Sequence, residues 1–143
     1  MTSTLKFGVL LGCLLLATAI LSQSFRAVQP YWGYLDLIVF AFVIYSGIRS
    51  FLNGDPPRPK YNYRKGALIG LGIVAIGSLL GIIMYSIWQY FNAGEAINFS
   101  KLMFNFLHLL PGGIVAALLV PLLFLNKTER KSGEEEILDS ELK

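Results

Sequence analysis

Few residues in this chain could do chemistry, and two of them stand where charge is costly. Asp36 and His108 interrupt long apolar stretches, and His108 is the only histidine among 143 residues. An isolated charge inside a bilayer costs several kcal/mol, so each group must be neutral, paired or wetted. A carboxylate and an imidazole brought together could relay a proton or an ion. The plainer alternative is a carboxylate near the wet edge of the membrane and a neutral, hydrogen-bonded histidine. Shortly after His108 comes Pro111-Gly112-Gly113, and then Pro121. Pro111 deprives the Leu107 carbonyl of its helical donor, and Pro121 does the same to Ala117. Such carbonyls can coordinate an ion in a discontinuous helix, and they also occur in simple kinks. Asp36, His108 and Pro111 are therefore the candidate intramembrane polar site.

The sequence carries no glycine-rich phosphate loop, no nucleophile elbow and no metal-ligand spacing. A single histidine argues against a histidine-based triad or zinc site built from this chain alone. Cys13 is the only cysteine, so no disulfide can form within the chain. Leu10-Leu11-Gly12-Cys13 faintly resembles a lipoprotein cleavage box, but the next residues, Leu14 to Ala17, stay apolar where a lipoprotein turns polar. The expectation is a protein that is not an enzyme and that takes no cofactor and no metal.

The elements that must hold Asp36 and His108 are transmembrane helices. The chain is 55% hydrophobic and 15% charged, whereas a soluble domain is about 45–50% apolar and about 25% charged. Its charges are also segregated into short stretches between long uncharged ones. Four apolar spans are predicted, at about residues 5–21, 31–52, 66–91 and 99–125. Each is near or above the ~20 residues that cross a hydrocarbon core of ~30 Å. The first span also has the features of a signal peptide, with Lys6 ahead of it and Ala17-Thr18-Ala19 near its end. A retained helix is preferred, because further spans follow. Short links make neighbouring helices antiparallel. The predicted fold is all-α, an antiparallel four-helix transmembrane bundle over residues 1–126, followed by a hydrophilic cytoplasmic tail over 127–143. In that tail Ser132 and Glu135 fit a capping box, although so short a segment is marginal as a helix.

Orientation follows from the basic residues. With a cytoplasmic N-terminus, the inside holds Lys6, Arg49, Arg58, Lys60, Arg64, Lys65, Lys127, Arg130, Lys131 and Lys143, and the outside only Arg26 and Lys101. Ten against two is a strong positive-inside bias, placing both termini in the cytoplasm. Tyr31, Trp32 and Tyr34 with Trp88, Tyr90 and Phe91 would then form the outer aromatic belt, and Tyr61 with Tyr63 the inner one. Arg58, Lys60, Arg64 and Lys65 suit the anionic head groups of a membrane surface. The net charge of +3 combines this basic loop with an acidic tail and carries no nucleic-acid signal.

The third span bears a glycine stripe, Gly66, Gly70, Gly77 and Gly81, which at 100° per residue falls within about 60° of one helix face. Glycine lets another backbone approach closely. The stripe serves helix packing, either inside one bundle or, as the sharper alternative, along a homodimer seam. Packing inside the bundle is preferred, since four helices need such a face in any case.

A span ending Val43-Ile44-Tyr45-Ser46-Gly47-Ile48-Arg49 precedes a polar loop. The next span enters through Tyr63-Arg64-Lys65-Gly66-Ala67-Leu68-Ile69-Gly70. Over residues 35–91 this resembles a bacterial family of small four-span membrane proteins, a domain of unknown function. The resemblance implies a bacterial inner membrane and supplies no catalytic residues. Two functions compete. One is a non-enzymatic structural or interaction protein, or a subunit of a membrane complex, whose partners are the lipid bilayer, further copies of itself or other membrane proteins. The other is a small oligomeric transporter or channel using Asp36, His108 and a broken fourth span. An intramembrane enzyme has only His108 behind it.

Overall fold

The computed structural model describes residues 3–24, 32–53, 62–94 and 98–125. They form four helices, α1 (Ser3–Ser24), α2 (Trp32–Leu52), α3 (Tyr63–Ala93) and α4 (Phe99–Leu119). All four are long and apolar enough to cross a membrane. The tail from residue 126, and Arg58 and Lys60 in the basic loop, lie outside the described residues.

The surface fits a lipid solvent. Ile38, Phe42, Leu68, Phe91, Phe104 and Leu123 are each more than 60% exposed. Apolar residues this large and this widely spread would be a liability in water. The helices begin and end where backbone chemistry allows. The Asn62 side chain caps α3 by accepting from the Arg64 N–H at 3.4 Å, and Asn98 caps α4 by accepting from the Ser100 N–H at 3.0 Å. Gly94 stops α3 in the left-handed region at φ 64°, which glycine adopts without a Cβ penalty. Asn98-Phe99-Ser100, which also matches a glycosylation triplet, thus has a structural role as a helix start. Arg64 and Lys65 are exposed in the first turn of α3, where the helix dipole disfavours cations. Nothing in the α3 terminus itself calls for basic residues there, which fits a role at the membrane surface.

With 31 residues, α3 is the longest helix, about 46 Å at 1.5 Å per residue. It exceeds a hydrocarbon core of ~30 Å, so its ends, Tyr63-Arg64-Lys65 and Gln89 to Asn92, extend toward the polar boundaries. Two ends of the bundle can be distinguished. The near end carries Ser3, Leu52, Tyr63 and the last residues of α4. The far end carries Ser24, Trp32, Ala93 and Phe99.

Helices consecutive in sequence run antiparallel, as the short links require. The most extensive interface, however, joins α1 to α3, which are parallel and not consecutive. Its register is fixed by glycines on both partners. A Cβ built on Gly77 would lie 2.5–2.7 Å from the Leu11 side chain, and one on Gly12 only 3.2 Å from the Gly77 carbonyl and the Gly81 nitrogen. Without a hydrophobic drive between helices in lipid, such backbone proximity is what holds two helices together, through dispersion contacts and weak hydrogen bonds. The stripe on α3 is shared between two partners. Gly77 and Gly81 lie against α1, whereas Gly70 lies against Ala117 of α4. Gly66 is buried.

The buried core occupies the near and middle parts of the bundle. Phe40, Val43, Ile44 and Ile48 of α2 meet Ile73 and Val74 of α3, Ala116 and Ala117 of α4, and Val120 and Phe124 just beyond it. Gly113 sits at the three-helix junction, where a Cβ would strike Val74 at 2.5 Å and Phe40 at 3.1 Å. Helix α4 runs unbroken through Pro111, contrary to a discontinuity there. Pro111 is exposed, so its ring is accommodated outside the packed core. The interruption falls instead at Val120 and Pro121, after which residues 122–125 resume a helical turn through tighter bonds, Leu123 N–H to Val120 O and Phe124 N–H to Pro121 O. Tyr63 donates to the Leu118 carbonyl at 3.2 Å, supplying a donor where the helix ladder ends.

Candidate functional site

Toward the far end the packing opens. Helices α1 and α4 share no extensive interface, and two hollows lie between them, bordered in common by Leu15, Ala19 and Leu109. The larger measures about 290 Å³ and is also lined by Gly81, Ile82, Tyr85, Asn105 and His108. The smaller measures about 170 Å³ and is also lined by Thr18, Ser22 and Asp36.

The chemistry on the two sides differs. On the smaller hollow, Thr18 Oγ1 lies 3.1 Å from Asp36 Oδ1 and 2.9 Å from the Leu15 carbonyl. One hydroxyl proton thus faces two acceptors. Ser22 Oγ donates to the Ala19 carbonyl at 2.7 Å. Both hydroxyls answer to backbone carbonyls three residues earlier, a common arrangement for serine and threonine in an apolar helix. On the larger hollow, Gln89 donates its amide N–H to Tyr85 Oη at 2.9 Å, and Tyr85 stacks on Trp88 with ring centroids 6.0 Å apart. His108 meets Phe104 edge to face at 5.3 Å.

Asp36 and His108 therefore border adjacent hollows that share Leu15, Ala19 and Leu109, from α2 and α4, two helices that are neighbours and run parallel. Their side chains are not bonded to one another. Asp36 is joined to Thr18 of α1, and His108 is exposed along the flank of α4, with one side on the larger hollow. Asp36 is half-buried, whereas His108 is exposed. The reason is the wide spacing of α1 and α4, which leaves the α4 face around His108 uncovered. Pro111 lines neither hollow. Among the described residues no three His, Cys, Asp or Glu side chains come together as a metal cluster would require.

Thr18 was the functional neighbour that sequence inspection passed over. Its signal in the sequence is faint: a hydroxyl six residues before the end of α1, on a span with no polar face. The Gly8-x-x-x-Gly12 spacing of α1, which meets Ile76 and the Gly77 to Gly81 segment, was also legible as a small-residue packing motif. Comparison with protein-family models, with curated proteins and with solved structures finds no match for this chain.

Proposed function

We propose that the chain is a multi-pass membrane protein that works by binding rather than by catalysis, as a structural or interaction component of the membrane or a subunit of a larger membrane complex. The observation that supports this is the dead end of the larger hollow. Leu15, Ile82 and Leu109 line its inner limit, and beyond them the near half is a dry core around Phe40, Ile44, Ile48 and Ile73. Among the described residues the fully buried Ser78 is the polar side chain found on that side, and a lone hydroxyl makes no route across. The glycine stripe contributes to this reading through the stability of a single bundle rather than through a homodimer seam, since Gly70, Gly77 and Gly81 each face a helix of the same chain.

A second reading is favoured by the hollows themselves. A small oligomeric transporter or channel would use Asp36, which lines the smaller hollow, and His108, which lines the larger. Flux through proteoliposomes separates the two. Vesicles carrying the full chain should be no more permeable to protons, sodium or potassium than empty vesicles. A flux that Asp36→Asn abolishes would replace the binding reading with the transport one.

The membrane and its sidedness belong to the same proposal. The resemblance over residues 35–91 is what implies a bacterial inner membrane, and the distribution of basic residues supports cytoplasmic termini. In a Cys13→Ser background, single cysteines at Asn53 and Lys131 should react only with a reagent on the cytoplasmic side, and one at Gly94 only with a reagent outside. Labelling of positions 53 and 94 from one side would be incompatible with four spans.

A further inference from the structure

The polar groups of the adjacent hollows are sorted by hydrogen-bonding character. In the smaller hollow, Asp36 is an acceptor when ionised, and the hydroxyl protons of Thr18 and Ser22 lie close to the Leu15 and Ala19 carbonyls. The Thr18 proton faces the Leu15 carbonyl and Asp36 Oδ1 and the Ser22 proton goes to the Ala19 carbonyl, so Thr18 Oγ1 and Ser22 Oγ keep lone pairs for the hollow. Three acceptor groups thus line one pocket, which matches the three N–H donors of a primary ammonium. The larger hollow is lined by Asn105 and His108, an amide and an imidazole that can each donate to an oxyanion. The shared Leu15, Ala19 and Leu109 form an apolar waist between them, suited to a short carbon linker.

We propose that the two adjacent hollows together bind a zwitterion carrying a primary ammonium and an oxyanion, with the ammonium among Asp36, Thr18 and Ser22, the oxyanion at Asn105 and His108, and the linker passing the shared Leu15, Ala19 and Leu109. This chemistry has two sources at a membrane, the ethanolamine head group of a phospholipid and a free phosphoethanolamine-like solute. A quaternary ammonium has no N–H to place and is the natural control. The ligand site goes beyond association with other membrane proteins and does not depend on it, because a bundle that conducts nothing can still bind a lipid or solute.

The test is equilibrium binding to the purified full chain in detergent micelles. Four probes are used: phosphatidylethanolamine, phosphatidylcholine, phosphoethanolamine and phosphocholine. Retention of at least one ethanolamine probe about tenfold over its choline counterpart is expected, the size of effect that charge-assisted hydrogen bonds confer. The source is the lipid if phosphoethanolamine does not compete, and the solute if it binds alone. Asp36→Asn, nearly isosteric and still able to accept from Thr18, should abolish the preference while far-UV circular dichroism stays unchanged. If that variant does not fold, Ser22→Ala should reduce the preference with Asp36 intact. Equal retention of ethanolamine and choline probes by the unmodified chain would overturn the proposal, as would a full preference surviving in a folded Asp36→Asn.

Discussion

Gly77→Leu is expected to separate α1 from α3 and to destabilise the bundle by about 3 kcal/mol, the upper end of the ~1–3 kcal/mol typical of overpacking. A Cβ at this position already lies 2.5 Å from Leu11 Cδ2 and 2.7 Å from Leu11 Cβ, before the rest of the leucine is added. Leu11 is fully buried and has no free space to rotate into. The opposite side of the contact is backbone, since Gly12 approaches the Gly77 carbonyl and the Gly81 nitrogen. Neither partner can yield by a side-chain movement, so the helices themselves must part. Gly72→Leu is the matched control. Its Cβ meets only Thr4 Cγ2, at 2.9 Å, the tip of a side chain near the end of α1, and the loss should be under about 1 kcal/mol. Reversible unfolding in mixed micelles, followed by circular dichroism, reads both. Equal tolerance of the two leucines would show that α1 does not lie against α3 as described.

Phe40→Ala is expected to cost about 3 kcal/mol, near the lower end of the ~3–5 kcal/mol seen when a buried phenylalanine is truncated in a soluble core. Phe40 is 1% exposed and fills the junction with Gly113 and Val74. The lower end is chosen for a physical reason. Lipid is as apolar as the bundle interior, so the usual transfer contribution vanishes, leaving lost dispersion contacts and an unfilled cavity. Phe42→Ala, two residues on and 65% exposed, should be near neutral in the same unfolding measurement. A pair of equal losses would mean that the helix face assigned to the core is wrong.

The contrast between these sites shows what can be read from sequence in a membrane bundle. Spans are dictated by hydropathy and length, and the four helices lie close to their expected bounds. The ends differ by a few residues where caps such as Asn62 and Gly94, rather than hydropathy, set the stop. Helix partners are another matter. A glycine stripe announces that something comes close but not what. Thus Gly70 and Gly77, nearly superposed on the helical wheel, meet different helices because α3 crosses different partners along its length. The same limit applies to the site. Asp36 and His108 stood out as costly residues, and the structure brings them to adjacent hollows. Thr18, the residue that actually bonds Asp36, is unremarkable in composition and becomes relevant only through the antiparallel pairing of α1 with α2. Pro111 and Pro121 look alike in sequence. They differ because the first lies exposed within a continuing helix and the second is buried where the helix stops.

The parallel α1–α3 interface bears on biogenesis. Leu11 and Gly77 are 66 positions apart, the difference of their numbers, and α2 must be inserted between them in time. While the chain is being made, α1 and α2 can pair as a hairpin, but the closest-fitting surface of α1, Gly8, Leu11 and Gly12, has no counterpart until α3 enters the bilayer. Loop-closure entropy disfavours this contact only slightly more than a shorter one, so the delay is one of synthesis order and not of energy. A chain arrested after α2 would present the bare glycine face of α1 to lipid or to unrelated helices, and would be the form most exposed to membrane quality-control proteases.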